Sequence, residues 1–461
     1  MKVRLLKYVY VRSTEEFGYI ADMLTGKQIT LDGSGSVLIS HLTHDWRDTD
    51  EMVNDIVSVY SEVYRLEIQR DLESILHRLH DEKLIEIYGE PNEPDCLPRK
   101  YTPENKNIPH IEDLTIEITN ACNERCIHCY LPDSVKDRSV SLNVDEIIRI
   151  INEFVELGGK SVTLTGGEVF LHKDIRKIIR HITSVNLQYG LYSNLVLLTD
   201  RHLDFLCENR PCLVQVSLYA MQPDIHDAIT KIKGSWQRSM NAIAKLRQKG
   251  IPVKIACPVM RENASNIVEL IKFAQDTDIE FEPSFVISAR CDQSDDNLVH
   301  RLSAEEFDRM VKTLLLEVPT FAKEYFMRKV PAYTVDYDFI EFLNSPLCPA
   351  GHLGLYVTAG GDITVCPQLQ GQPIGDIFGV TLKEIWEKSE WLKRLRSLTN
   401  GCFETCMDCT YSDFCHRCYA VNHTETGSIL KIPKEICEQA RILWKNLNTL
   451  RECLNLTRIY N

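Results

Sequence analysis

Three cysteines on one short loop have the spacing of a metal-cluster site. The segment ITNACNERCIHCY, residues 118–130, carries Cys122, Cys126 and Cys129 in the pattern C-x3-C-x2-C. Three thiolates on a tight loop can hold three corners of a cubane iron–sulfur cluster, which has four irons and needs four ligands. One iron is then left without a protein thiolate and is free to bind another molecule. A zinc ion held by these cysteines and a distant fourth ligand is the alternative.

A second group of cysteines lies near the end of the chain. Nine of the seventeen cysteines follow residue 347. Cys348 and Cys366 bracket Gly361 as C-x12-G-x4-C. The spacing C-x2-C-x5-C-x2-C and one further cysteine follow, at Cys406, Cys409, Cys415, Cys418 and Cys437. Such pairs suit iron–sulfur clusters, and they also suit structural zinc ribbons.

Strands that alternate with helices must position the first cysteine loop. The candidate strands are Leu114–Ile118, Ser161–Thr165, Gln188–Tyr192, Leu213–Leu218, Val253–Val259 and Glu280–Phe285. Helical segments lie between them, and this alternation predicts a parallel sheet with crossover helices. Six units suit an open, partial barrel better than a closed barrel of eight. Because the cysteine loop directly follows the first strand, we expect it at the carboxyl-terminal mouth of the sheet, where α/β folds place their chemistry.

The remaining segments predict an α/β protein of several domains. Residues 1–88 have strand-like segments followed by three helix-period segments, which indicates a small α+β, winged-helix-like domain. Residues 89–109 are rich in proline and polar residues, which indicates a linker. We expect a partial (β/α)6 barrel at 110–320 and a bridging region at 321–347. A loop-rich cysteine domain at 348–440 and a C-terminal helix or tail at 441–461 complete the prediction.

Charge and composition exclude some classes of function. Acidic residues number 66 and basic residues 52, so the net charge is −14. This balance argues against a protein that coats nucleic acid or an anionic membrane. The amino-terminal segment lacks the apolar region of a signal peptide, and no apolar run is long enough to span a membrane. We therefore expect a cytoplasmic protein, in which clustered cysteines favour metal or redox chemistry over disulfides.

The first loop resembles that of the radical S-adenosylmethionine (radical SAM) enzymes. In that family the amino and carboxylate groups of S-adenosylmethionine (SAM) bind the fourth iron, and the reduced cluster cleaves SAM to a 5′-deoxyadenosyl radical. After the second strand, Thr165-Gly166-Gly167-Glu168 resembles the family's GGE turn. The resemblance implies a set of SAM contacts at His128, Tyr130, Gly166, Gly167, Glu168, Ser193, Asn194 and Ser217. Many relatives have an arginine near the position of Thr230, so the partner of the SAM carboxylate stays unassigned.

The second cysteine group resembles the SPASM extension of radical SAM enzymes that modify peptides and proteins. The resemblance implies one auxiliary cluster on Cys348, Cys366 and Cys418, and a second on Cys406, Cys409, Cys415 and Cys437. The last spacing in the run is two residues where the family has three, which leaves the role of Cys418 open. The eighth ligand is also open: Cys402 fills the gap, with His352 a weaker choice, or one iron binds water or substrate. In total, three [4Fe-4S] clusters and SAM are implied.

Residues 1–88 resemble the small PqqD-like domain called the RiPP recognition element, which binds the leader of a ribosomally made precursor peptide as an added strand. These resemblances imply a peptide maturase that installs a crosslink, with a thioether first and a carbon–carbon or carbon–oxygen bond second. An open iron that binds a substrate thiolate favours the thioether. An external one-electron reductant such as flavodoxin or ferredoxin is the expected second partner. The alternatives are a protein-modifying activator of the sulfatase-maturing type, a peptide epimerase and a non-enzymatic iron–sulfur scaffold.

Overall fold

A computed structural model describes residues 1–7, 9–13, 17–22, 27–60, 64–89, 111–136, 139–327 and 344–453. The predicted linker therefore lies outside the described residues apart from Gly89, as do most of the predicted bridging region and the last eight residues of the chain. Within the described part, no helix combines the length and apolar character needed to cross a membrane.

The amino-terminal residues form two small sheets packed with three helices. Strands β1, β5 and β6 form one antiparallel sheet and β2, β3 and β4 form the other. The elements are β1 Lys2–Leu5, β2 Val9–Ser13, β3 Phe17–Asp22, β4 Gln28–Asp32, α1 Gly33–Ser40, β5 Arg47–Asp48, α2 Thr49–Val59, α3 Arg65–Asp81 and β6 Ile85–Ile87. Two details differ from the sequence prediction. The strand-like start of the chain is divided by a turn into β1 and β2, which lie in different sheets, and β3, which is buried on both faces, has no alternating pattern that would predict it.

A mostly parallel sheet forms the centre of the molecule, so the predicted mixed α/β fold is confirmed. Among the described residues its strand order is β12-β11-β10-β9-β8-β7-β13-β14-β15. The first six strands in chain order are β7 Asp113–Thr119, β8 Ser161–Gly166, β9 Gln188–Ser193, β10 Leu213–Ser217, β11 Val253–Pro258 and β12 Glu280–Ser284. The helices among and after them are α4 Asp133–Lys136, α5 Val144–Glu156, α6 Ile175–Ser184, α7 Asp200–Glu208, α8 Pro223–Thr230, α9 Ser235–Gln248, α10 Ile267–Asp276, α11 Ala304–Glu317 and α12 Pro319–Met327.

Side-chain alternation gives this sheet one apolar and one polar face. On β7, Leu114, Ile116 and Ile118 are fully buried in the main core, while Glu117 and Thr119 point to the opposite face because successive strand residues alternate. Similar alternation along β8 to β10 leaves polar side chains on the second face. The apolar face packs on amphipathic helices such as α5, which begins at a capping box formed by Asn143 and Glu146. The polar face is left to build a site.

The carboxyl-terminal part continues the central sheet, which the sequence did not predict. Strand β13 Gly354–Val357 pairs in parallel with β7, and β14 Asp362–Thr364 and β15 Gly375–Asp376 follow antiparallel. Helices then dominate: α13 Leu382–Lys388, α14 Glu390–Arg396, α15 Glu404–Met407, α16 Tyr419–Thr426 and α17 Lys434–Cys453. Helix α17 starts before the predicted boundary at residue 441. A buried ion pair between Arg301 and Glu425 joins α16 to the segment before α11.

The amino-terminal domain contacts the central sheet at the amino ends of β8 and β9. The Arg12 guanidinium donates to the carbonyl oxygens of Gly159 and Val185. The Lys160 ammonium is almost fully buried, donates to Thr30 Oγ1 at 2.8 Å and pairs with the Glu112 carboxylate at 2.9 Å. These bonds fix the amino-terminal domain to the end of the sheet opposite the strands' carboxyl ends.

Candidate active site

A cavity of about 350 Å³ opens at the carboxyl ends of the parallel strands. One wall is the cysteine loop after β7, and the others are residues at the ends of β8 to β12. The lining includes seven of the predicted SAM contacts, namely His128, Tyr130, Gly166, Gly167, Ser193, Asn194 and Ser217. Cys122, Cys126 and Cys129 line the same cavity. The fold therefore brings the predicted cluster loop and the predicted cofactor contacts to one place.

Backbone hydrogen bonds hold the cysteine loop in position. The Arg125 and Ile127 amides donate to the carbonyl oxygens of Thr230 and Ile229 at 3.0 and 3.1 Å, which fastens the loop to the end of α8. On the other side, the Arg290 guanidinium donates to the carbonyl oxygens of Cys129 at 2.5 Å and Leu131 at 3.2 Å. No sequence motif marks Arg290, and its position was found only from these contacts.

The chemistry of the three thiols suits a cationic cluster. Burial raises the pKa of the Cys122 thiol to about 12 and that of Cys126 well above its ordinary value. These thiols therefore ionise only when a cation lies beside them, as at a metal site. Within the described residues, no three His, Cys, Asp or Glu side chains converge closely enough to hold a single metal ion. Buried thiols of this kind suit either an iron–sulfur cluster or a zinc ion.

The glycine turn after β8 allows its backbone to touch the cysteine loop. A Cβ atom at Gly166 would lie 2.2 Å from the Thr119 carbonyl oxygen, and one at Gly167 would lie 2.3 Å from that of Ala121. Both distances are impossible for a real side chain, so this close approach requires glycine.

Glu168 does not line the cavity but supports the residues that do. Its side chain is fully buried, and its Oε1 accepts hydrogen bonds from Ser193 Oγ at 2.7 Å and from the Phe170 amide at 3.1 Å. Its Oε2 accepts from the Asn194 amide at 2.8 Å. Burial raises the pKa of Glu168, while the three donors favour its ionised form. Its role is to position the turn that carries Ser193 and Asn194.

Aromatic side chains flank the cysteine loop. The rings of His128 and Tyr219 meet edge to face at 4.9 Å, and the Tyr219 hydroxyl lies 3.7 Å from Cys126 Sγ. Burial lowers the pKa of His128 to about 3, so its ring is neutral at pH 7. Its Nδ1 is one of the buried polar atoms that have no hydrogen-bond partner among the described residues. An atom of this kind on the wall of a cavity is available to a ligand.

The carboxyl-terminal cysteines fall into two groups in space. Cys366 lies near Cys348 and Cys418, whose charges add to the effect of burial and raise the pKa of its thiol, and these three form the first group. Cys415 lies near Cys406, Cys409 and Cys437 in the same way, and these four form the second group. Burial raises the pKa of Cys366 and of Cys415 to about 12, as for the first loop. The family resemblance predicts the same sets of three and four, and their assignment as cluster ligands stays a prediction.

The two candidates for an eighth ligand lie in different surroundings. Cys402 lies close to Tyr419, whose hydroxyl is also close to Cys348 of the first group. The Cys402 Sγ accepts from the Thr399 amide at 3.5 Å. The His352 ring lies near Arg396, and burial together with that charge lowers its pKa. Cys402 and Cys348 therefore share a neighbour in Tyr419, and the identity of the eighth ligand stays a prediction.

Comparison with known proteins assigns the two cysteine-rich regions. The family model of the radical SAM superfamily matches residues 116–274, and the model of SPASM, an iron–sulfur cluster-binding domain, matches residues 348–419. These features define the class of enzyme that binds SAM beside an iron–sulfur cluster. The chain is therefore an enzyme that contains a radical SAM domain and a SPASM domain.

Relatives of this chain include peptide-modifying enzymes. The sporulation killing factor maturation protein SkfB of Bacillus subtilis is 26% identical over 281 residues, which are 60% of this chain and 65% of that protein. The AdoMet-dependent heme synthase of Methanosarcina barkeri is 25% identical over 347 residues, which are 70% of this chain and 95% of that protein. The crystal structure of Streptococcus suis SuiB bound to precursor peptide SuiA has the same fold, with a TM-score of 0.62 and 13% identity over 95% of this chain and 100% of that one.

Proposed function

We propose that this enzyme is a peptide maturase that installs a crosslink in a ribosomally made precursor peptide. The observation that carries the proposal is the sorting of the carboxyl-terminal cysteines into groups of three and four, beside a cavity that holds a further three. When bound, the clusters and SAM supply a 5′-deoxyadenosyl radical that removes a hydrogen atom from an unactivated carbon. The cavity at the strand ends, lined by the cysteine loop and the glycine turn, would hold SAM.

Each group of residues has a proposed role. Cys122, Cys126 and Cys129 bind the radical SAM cluster, and the turn residues Gly166, Gly167, Ser193 and Asn194 bind SAM with His128, Tyr130 and Ser217. Glu168 acts on SAM through Ser193 and Asn194. The group of three thiols binds one auxiliary cluster and the group of four binds the other, which makes three [4Fe-4S] clusters. An external one-electron reductant, a flavodoxin or ferredoxin, completes the system.

A thioether is the first choice of product. The group formed by Cys348, Cys366 and Cys418 supplies three ligands, so a substrate thiolate or Cys402 supplies the fourth. A cysteine that binds this iron loses its proton and is held as a nucleophile. A carbon–carbon or carbon–oxygen crosslink is the second choice, because it needs no such ligand.

The amino-terminal domain is proposed to bind the leader of the precursor as a PqqD-like recognition element. A groove of about 380 Å³ lies between α1, α2 and α3, with apolar lining from Val37, Leu38, Ile56 and Ile68. Large apolar side chains are exposed close to it, at Val59, Tyr60, Tyr64 and Leu66. Exposed apolar groups around a groove favour a docking site for a peptide. The fold likeness to SuiB, which was crystallised with a precursor peptide, extends over nearly the whole chain and therefore supports the comparison.

Co-expression with short peptides encoded beside the gene tests the function. Mass spectrometry should find a peptide that has lost two hydrogens, and thiol alkylation followed by fragmentation should locate a thioether. An unchanged mass with deuterium uptake would instead indicate an epimerase. Modification of a folded partner protein, with none of the peptides, would indicate an activator of the sulfatase-maturing type. Conversion of a tetrapyrrole would place the chain with the heme synthases.

Leader binding is tested by one pair of surface variants. Leu66, whose exposed fraction is 78%, directly precedes the groove-lining residues Glu67 and Ile68, and Leu316, at 79%, lies on α11 of the central domain. Leu66→Asp should weaken binding of the precursor in fluorescence anisotropy, whereas Leu316→Asp should not. Deoxyadenosine formation without peptide should be the same in both variants. Equal binding by both variants would count against the leader site.

A further inference from the structure

A buried carboxyl group lies between the cysteine loop and the SPASM domain. Glu117 on β7 is only 1% exposed. Its Oε2 accepts hydrogen bonds from the Tyr356 hydroxyl at 3.4 Å, the Gln370 side-chain amide at 3.3 Å and the Ala359 amide at 3.5 Å. Its Oε1 has no partner among the described residues. A buried carboxyl group with a free oxygen is costly, so its retention needs a reason.

A chain of two hydroxyls connects Glu117 to the active-site cavity. The Tyr130 and Tyr356 hydroxyl oxygens are 3.3 Å apart, and Tyr130 lines the cavity directly after Cys129. Each phenol has a single hydrogen to donate. Because the Tyr356 hydrogen is directed to Glu117, the Tyr130 hydrogen is directed to Tyr356. The lone pairs of the Tyr130 oxygen then remain able to accept a proton.

The surroundings of Glu117 suit a group that takes up a proton near neutral pH. The titratable groups that face it are Tyr130, Tyr356 and Cys291, all of which are neutral. No lysine or arginine among the described residues forms an ion pair with it. Burial, only partly opposed by the three hydrogen bonds, raises the pKa of Glu117 to about 7.

We propose that Glu117 receives, through the hydroxyls of Tyr356 and Tyr130, the proton that the substrate loses when the crosslink forms. The inference rests on the proposed function. Formation of a carbon–sulfur bond breaks one C–H and one S–H bond. The hydrogen atom from carbon leaves in deoxyadenosine, the proton from sulfur passes to Glu117, and the remaining electron is taken by an iron–sulfur centre. Glu117 acts through the two tyrosines and is therefore a positioning and relay residue.

The test uses conservative variants of the full-length reconstituted enzyme. Glu117→Gln removes the acceptor, and Tyr356→Phe breaks the chain while it keeps the ring. The control is Tyr189→Phe, which removes a buried hydroxyl from β9 of the same sheet, where it donates to the Asn209 carbonyl oxygen. With the co-expressed peptide, we expect crosslinks formed per deoxyadenosine to fall at least tenfold in Glu117→Gln and Tyr356→Phe, but not in Tyr189→Phe. In the wild type this ratio should rise with pH through about 7, and the rise should be absent in Glu117→Gln.

A second measurement needs neither cluster nor peptide. A carboxyl group whose pKa is higher in the folded than in the unfolded state loses its favourable contribution as pH rises between the two values. For Glu117 the loss runs from about 4.5 to about 7. The melting temperature of the Glu117→Gln apoprotein should therefore rise relative to the wild type between pH 5 and pH 7 and remain level above it.

The outcomes separate the relay from the proposed function. A wild type that forms crosslinks and a Glu117→Gln variant with the same ratio and pH profile would overturn the relay alone. A parallel fall in crosslinks and deoxyadenosine, so that their ratio is preserved, would show a structural role and also overturn it. A difference in melting temperature that does not change with pH would show that Glu117 does not titrate in this range and would overturn the relay. A wild type that cleaves SAM but never crosslinks a peptide would refute the proposed function and the relay with it.

Discussion

Replacement of Glu168 by Gln tests how the glycine turn supports SAM. The carboxylate is a pure acceptor for three donors, and Ser193 Oγ in turn accepts from the Leu195 amide at 2.9 Å. An amide keeps one oxygen and gains a donor. If its nitrogen takes the place of Oε2, it faces the Asn194 amide, donor against donor. The other orientation is worse, because the nitrogen then faces two donors, those of Ser193 and Phe170.

The expected cost follows from the lost acceptor. A hydrogen bond to a charged group contributes about 1.5–3 kcal/mol, and a buried donor left unsatisfied costs a similar amount. At about 1.4 kcal/mol for each factor of ten, loss of one such bond weakens a ligand that depends on this turn by roughly ten- to a hundredfold. The free energy of unfolding should fall by a similar amount, because Glu168 is buried in the absence of ligand as well.

Isothermal titration of SAM into the anaerobically reconstituted protein measures the first effect, and urea denaturation measures the second. The matched control is Glu146→Gln, at the capping box of α5, where glutamine caps nearly as well as glutamate. It should change neither quantity. A Glu168→Gln enzyme that binds SAM within twofold of the wild type would refute the positioning role given to Glu168.

Three further predictions concern other parts of the molecule. Cys437→Ala should lower the iron content of the reconstituted protein from about twelve toward about eight per chain, because one of three four-iron clusters loses a ligand; unchanged iron would remove Cys437 from the ligand set. Gly167→Ala should abolish SAM binding because its Cβ meets a backbone carbonyl oxygen of the cysteine loop at 2.3 Å, whereas Gly190→Ala on β9, whose nearest contact is 3.6 Å, should be tolerated. Lys160→Met should lower the free energy of unfolding by about 3–5 kcal/mol, because it removes the buried ammonium that pairs with the Glu112 carboxylate at 2.9 Å. The double variant with Glu112→Gln should recover most of that loss in urea denaturation, and a single variant that costs nothing would show that the pair is not buried in solution.

The sequence predicted the elements whose signals are local. The spacing of the first cysteines and the alternation of strands and helices depend on neighbouring residues, so the parallel sheet and the position of Cys122, Cys126 and Cys129 at its mouth followed from pattern alone. The division of the carboxyl-terminal cysteines into two sets of cluster ligands rests on family resemblance and stays a prediction.

Features that depend on distant contacts were not predictable in this way. Strands β13 and β7 pair although more than two hundred residues separate them in the sequence, and the four residues of β13 are too few for a pattern that predicts a strand. Arg290 donates hydrogen bonds to carbonyl oxygens of the cysteine loop. Every residue has a carbonyl oxygen, so the sequence carries no motif for this contact. In the sequence, Glu117 looks like a solvent-facing polar residue of an alternating strand. The structure shows that its side chain is instead buried against Tyr356.

The position at which the amino-terminal domain is attached sets a minimum length for any peptide that it binds. The contacts of Arg12 and Lys160 lie at the amino ends of β8 and β9, whereas the cavity lies at their carboxyl ends. A strand of six residues such as β8 rises about 20 Å, and an extended peptide needs about as many residues to cover the same distance. A peptide bound by this domain would therefore have to span at least the length of these strands before its reacting residue reaches the cavity. The fold would thus set the minimum number of residues between the recognised segment of the peptide and the residue that reacts.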